Sequence, residues 1–135
     1  HACALAAAIS AGNGELALEI GMNGPLMGTP EREAAKTAAA LMGMNNVYYP
    51  FVDMTGDANL KGLPPGLRMQ AYATHGGVSK LKFEMYALCA SIVGKCNHCV
   101  KSHYDILKNE GMTVQQLQAV GKIAAVINAV GKIAL

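Results

Sequence analysis

Nowhere in the 135 residues do apolar and polar side chains alternate long enough to build a half-buried strand, whereas helix starts and stops recur along the whole length. Thr29-Pro30-Glu31 supplies a threonine cap, a proline in the first turn and an acid at the positive end of a helix dipole. Ser79 supplies another cap, and Thr113 with Gln116 forms a capping box. Gly12-Asn13-Gly14, Gly76-Gly77, Gly94-Lys95 and Gly111 punctuate the runs between them. The pattern predicts an all-α chain with helices over 2–11, 15–20, 29–43, 67–72, 79–93, 96–111 and 113–135. It leaves 21–28 as a connection and 45–65 as the least regular region. The pentapeptide VGKIA begins at Val120 and again at Val130, too short a period for stacked units, and reads as a coincidence on one long helix.

A chain of this length is expected to form one domain over 1–135 with a core that needs no disulfide staples. The net charge is +2 without a dense basic cluster, so neither nucleic acid nor an acidic membrane surface is expected as a partner. No segment reaches the run of roughly 18–20 apolar residues that a membrane span needs, and cytoplasm is the expected location. Charged residues make up only 15% of the chain, against about 25% in an average soluble domain. That deficit leaves apolar surface to be covered and predicts a homo-oligomer. Because the sequence begins at His1 rather than Met, a longer natural chain is expected.

Chemistry concentrates in Cys96-Asn97-His98-Cys99 and His103. On a helix these thiols and His103 fall at i, i+3 and i+7, on one face, with His98 off to the side near the entrance. The first turn of a helix favours thiolate, and Lys95 and Lys101 add positive potential. Upstream, Leu81, Met85, Leu88 and Ile92 form an apolar stripe with Glu84 inside it. Burial favours the protonated form of a lone carboxyl and moves it toward general acid/base work. A carboxylate, a histidine and a thiol pair together make a proton relay.

Simpler readings stand beside that one. Cys96, Cys99 and His103, with His98 or Cys89 as a fourth ligand, have the elements of a zinc site, which would make the chain a non-catalytic, zinc-stabilised binding module. Glu84 could be a structural acid paired with a lysine or arginine. Cys3 and Cys89 read as small buried hydrophobes, His75 as a surface residue, and the eight methionines as core filler. Tyr48, Tyr49 and Phe51 read as packing residues able to line a pocket. Thioredoxin places its CxxC between a strand and a helix, so that architecture is excluded.

The order Glu84, eleven residues, Cys96-x-His98-Cys99, three residues, His103 resembles the signature of the alkylhydroperoxidase D family, within the carboxymuconolactone decarboxylase-like superfamily. The resemblance extends to Met42-Gly43-Met44-Asn45-Asn46-Val47-Tyr48-Tyr49, to Leu67-Arg68-Met69 and to Ile123-Ala124-Ala125-Val126-Ile127. It implies an all-helical homotrimer in antioxidant defence, a thiol-dependent alkyl hydroperoxide reductase with no bound cofactor or metal. Dihydrolipoamide on a lipoyl-bearing dehydrogenase subunit would be the electron donor, and an alkyl hydroperoxide reductase C-type peroxiredoxin the partner reduced. Carried over, Cys99 would attack peroxide and become a sulfenic acid. Cys96, the more exposed thiol, would be proton donor and resolving sulfur, closing a Cys96–Cys99 disulfide. Glu84 and His103 would deprotonate Cys99 through water, with His98 assisting. Family members carry more chain before the position of His1. Decarboxylation, the superfamily's other activity, would leave the cysteine pair idle.

Overall fold

The computed structural model describes residues 1–23 and 27–133. Seven α-helices account for most of them: α1 (Ala2–Ser10), α2 (Gly14–Met22), α3 (Thr29–Thr55), α4 (Ala58–Lys61), α5 (Lys80–Gly94), α6 (Asn97–Asn109) and α7 (Val114–Ile133). Two single 3₁₀ turns, Gln70–Tyr72 and His75–Gly77, bridge α4 and α5. The described residues contain no strand, as the missing alternation predicts. Positions 24–26 of the expected 21–28 connection, and the last two positions of the expected C-terminal helix, lie outside the described residues.

Side-chain caps open α2, α5 and α7, whereas Thr29, expected as a cap, lies inside α3, whose N-cap is Gly28 without a side-chain bond. Asn13 accepts from Leu16 N–H at 2.9 Å and opens α2, while its amide donates 3.0 Å to the Gly131 carbonyl and ties that corner to α7. Ser79 Oγ accepts from Lys82 N–H at 3.2 Å. Thr113 and Gln116 exchange bonds of 3.1 and 2.9 Å, the reciprocal pattern of a capping box.

The largest departure from the expected layout is α3, which passes the predicted stop at Gly43 and continues through the supposedly irregular stretch to Thr55. Gly43 costs about 1 kcal/mol within a helix, and Pro50 removes one backbone hydrogen bond. Both are overridden because Ala35, Ala38, Met42 and Asn45 recur at helical spacing on a buried face. Gly56, left-handed at φ 64°, ends the helix instead. Asp57 then caps the short α4, also inside the stretch expected to be irregular. The helix expected over 67–72 shrinks to the turn at Gln70–Tyr72.

Helix α5 is the centre of the packing. It contacts α1, α3, α6 and α7, and its buried residues run round the whole helix: Phe83, Glu84, Tyr86, Ala87, Leu88, Cys89, Ala90 and Ser91. The expected stripe is therefore misplaced in part, since Leu81, Met85 and Ile92 are only half-buried. Alanines of α1 and α3, several of them wholly buried, let these helices approach α5 closely. Methionine is not uniformly core filler either, because Met42 is buried whereas Met22 and Met54 stand exposed. The two VGKIA segments lie on the single helix α7 in different settings: Val120 is buried and Val130 exposed.

Candidate active site

The turn between α5 and α6 places the cysteines. Lys95 adopts the left-handed conformation (φ 56°), and the N–H groups of Lys95 and Cys96 donate back to the carbonyls of Ile92 and Ser91 at 3.1 and 3.4 Å. The chain reverses there, and Cys96 becomes the N-cap of α6. Its sulfur takes the place of the usual oxygen cap, accepting from Cys99 N–H at 3.2 Å. Cys96 and Cys99 are joined as a disulfide with their Cα atoms 5.3 Å apart, within the ordinary range for such a bond.

Cys99, His103 and Leu107 form the buried face of α6, so the expected shared face is present for Cys99 and His103, whereas Cys96 stands outside the helix as its extended N-cap. His103 Nδ1 donates to Glu84 Oε2 at 2.5 Å, and both side chains are almost wholly buried. Glu84 thus has a histidine as its partner, in place of the lysine or arginine of the simpler reading. His103 Nε2 lies 3.0 Å from Met42 Sδ. Cys99, Glu84, His103 and His98 all line one pocket of about 220 Å³. His98 stacks on Tyr49, ring centroids 4.1 Å apart, at the pocket wall. Tyr49 thereby takes the pocket-lining role allowed for it.

Several expectations need correction. Cys96 is not the more exposed thiol: it is 0% exposed, sits 4.0 Å from the Asn45 carbonyl, and does not line the pocket, whereas Cys99 does. Capping the helix turns its sulfur inward. Lys101 is engaged by Asp105 at 2.8 Å on the solvent side, which reduces the positive potential expected of it. His75 is half-buried with positive φ, its ring 6.4 Å from that of Phe83, and is not a plain surface residue. In this state the sulfurs of the zinc reading are joined in the disulfide and His103 Nδ1 is held by Glu84. Among the described residues no group of three or more His, Cys, Asp or Glu side chains is arranged to hold a metal ion.

Two pocket residues escape a reading of the sequence. Tyr72 places its hydroxyl 3.3 and 3.5 Å from the two ring nitrogens of His103, with the rings nearly parallel at 11°. Burial, and then the Glu84 carboxylate, push its phenol upward, so it remains a neutral hydroxyl. Asn45 is buried beside the thiols, its amide donating to Met69 Sδ at 3.2 Å and its Oδ1 without a partner among the described residues. The signal for Asn45 was available, since it continues the Ala35–Ala38–Met42 face as Glu84 interrupts that of α5. Tyr72 sits in a turn where no periodicity marks it.

Comparison with known proteins agrees with this geometry. The carboxymuconolactone decarboxylase family profile matches residues 60–134. The chain is 43% identical over 100 residues to "Alkyl hydroperoxide reductase AhpD" of Rhodospirillum centenum, covering 74% of this chain and 53% of that protein. The protein of the same name from Maricaulis maris is 43% identical over 100 residues, 74% of this chain and 57% of its own length. The one from Methylocella silvestris is 36% identical over 124 residues, 91% and 69%. The chain belongs to the carboxymuconolactone decarboxylase family and, within it, to the alkylhydroperoxidase D group. It spans about half the length of the first two of these relatives.

Proposed function

We propose that the protein is a thiol-dependent alkyl hydroperoxide reductase. The observation that carries this reading is a Cys96–Cys99 disulfide at a helix start, with Cys99 opening into the pocket that also holds the buried Glu84–His103 pair. The names of the relatives point the same way.

In the reduced protein the Cys99 thiolate attacks the terminal peroxide oxygen. An S–O bond forms, the O–O bond breaks, and the alcohol leaves after taking a proton, so Cys99 becomes a sulfenic acid. The Cys96 sulfur then attacks Cys99 Sγ, expelling water and restoring the disulfide. A dithiol supplies two electrons to reopen it by exchange. Glu84 fixes the imidazole of His103 through Nδ1, and a pocket water carries the Cys99 proton to this pair. The unpartnered Asn45 Oδ1 is an acceptor for the hydroperoxide O–H.

The donor in this proposal is dihydrolipoamide on a dehydrogenase-complex subunit, and the oxidised partner is an alkyl hydroperoxide reductase C-type peroxiredoxin. The same reading carries a homotrimer working in the cytoplasm without bound cofactor or metal. Exposed Leu18, Met22, Val47, Met54 and Val126 give the chain apolar surface for self-association, and no helix among the described residues is long and apolar enough to cross a membrane. The test is consumption of cumene hydroperoxide with dihydrolipoamide, by wild type and Cys99→Ser, with and without oxidised peroxiredoxin. Catalytic loss of peroxide by wild type alone supports the reading. Equal background rates from both proteins refute it.

A further inference from the structure

We infer that the dithiol reopening the disulfide attacks Cys99, and that Cys96 is the sulfur that leaves. This rests on the dithiol-driven cycle proposed above and assigns its regiochemistry.

Exchange needs a thiolate to approach one sulfur with the other departing, so access and leaving-group quality decide which sulfur is struck. Access selects Cys99. Its side chain lines the pocket, while Cys96 is 0% exposed, absent from the pocket lining and packed toward the Asn45 carbonyl. Leaving-group quality selects Cys96. Its sulfur already accepts the Cys99 N–H at 3.2 Å and occupies the N-cap of α6, where the other free N–H groups and the dipole also stabilise negative charge. Both criteria give the same answer, although the sulfur that leaves is the deeper one.

The step balances without another reactant. A donor thiolate forms a sulfur–sulfur bond to Cys99 Sγ, the Cys96–Cys99 bond breaks, and its electron pair stays on Cys96 as thiolate. The donor's second thiol loses its proton and attacks the donor's own sulfur in the mixed disulfide. That closes the cyclic disulfide of the donor and releases Cys99, the two electrons having passed to the protein. Cys99 is therefore the entry point for both half-reactions. Peroxide and dithiol use the same 220 Å³ pocket in turn, past the Tyr49–His98 stack. A sulfur at the tip of a slender arm fits this route, and one flush with a protein surface does not.

The test treats the oxidised wild-type protein with the monothiol 2-mercaptoethanol, quenches in acid at successive times, and alkylates the freed thiol with N-ethylmaleimide. Tandem mass spectrometry of the peptide holding both cysteines then locates each adduct. At the earliest times the mercaptoethanol adduct on Cys99 with alkylated Cys96 is expected in about tenfold excess, equivalent to about 1.36 kcal/mol between the two barriers. A predominant adduct on Cys96, or no adduct on either sulfur while dithiothreitol reduces the disulfide freely, overturns the assignment. Peroxide turnover measured on the same preparation separates the two proposals. Adduct on Cys96 with normal turnover defeats only the regiochemistry, and adduct on Cys99 with no turnover defeats only the peroxidase reading.

Discussion

Two pairs of cysteines lie in this chain, all four sulfurs shielded from solvent, and only one pair is placed for chemistry. Cys3 on α1 and Cys89 on α5 lie as neighbours in the apolar core, with Cys89 Sγ reaching the Val120 carbonyl at 3.9 Å. The Cys3 contact and burial push the Cys89 thiol well above its ordinary value, so it stays protonated and inert. Cys96 and Cys99 are as deeply set, at 0% and 3% exposure. Their surroundings are backbone N–H groups, a carboxylate–histidine pair and a pocket. Burial alone does not make a thiol unreactive. What matters is whether hydrocarbon or hydrogen-bond donors surround it, and whether a reactant has a way in.

The sharpest way to break this contrast is to remove one sulfur from each pair. Cys99→Ser is expected to reduce cumene hydroperoxide consumption to background, while Cys3→Ala retains turnover. Equal losses from the two, at equal folded fraction by circular dichroism, would mean that the core pair takes part in the chemistry.

A smaller effect is expected from the relay. Glu84→Gln keeps the shape of the side chain but replaces the carboxyl group that orients His103 through Nδ1. General acid–base assistance contributes typically 10²–10⁴-fold, so a fall of about 10²-fold in the rate of Cys99 reaction with peroxide is expected. Stopped-flow kinetics of the two reduced proteins with peroxide checks it. An unchanged rate would reduce the Glu84–His103 pair to a structural role.

How much of this could be read from residues alone depended on which signals were local. Caps at Ser79 and Thr113 are written in adjacent side chains and appear where expected, as does the common face of Cys99 and His103. The length of α3 was hidden because Gly43 and Pro50 are local breakers, and the tertiary burial that overrides them is nonlocal. The relative depth of Cys96 and Cys99 was hidden for a similar reason. An N-cap sulfur faces its own helix, but which side of that helix meets solvent depends on α3 and on the turn carrying Tyr72. Glu84 was legible because a carboxylate within an apolar run is conspicuous. Tyr72 was not, because tyrosines in turns are common.

Tyr72→Phe tests that residue and should have a lesser effect. Its hydroxyl touches His103 without touching a cysteine, and a neutral hydrogen bond is worth about 0.5–1.5 kcal/mol. A loss of roughly two- to tenfold in the rate constant for peroxide attack follows, with the disulfide still forming on oxidation. A loss as large as that of Glu84→Gln would instead make the phenol a full partner in proton transfer.

The least effect on activity belongs to Cys89→Ala, and that is its use. The substitution removes one buried sulfur from the most enclosed helix of the fold and leaves the partner thiol of Cys3 facing a small void. A cavity of this kind costs about 1 kcal/mol, visible as a lower urea midpoint at unchanged slope. Peroxide turnover should match wild type, because Cys89 does not line the pocket that holds Cys99. Stability and activity would then separate cleanly between the two pairs, the core pair answering to unfolding and the helix-start pair to peroxide. A Cys89→Ala protein that kept its urea midpoint but lost turnover would reverse that assignment and place the core thiols on the reaction path.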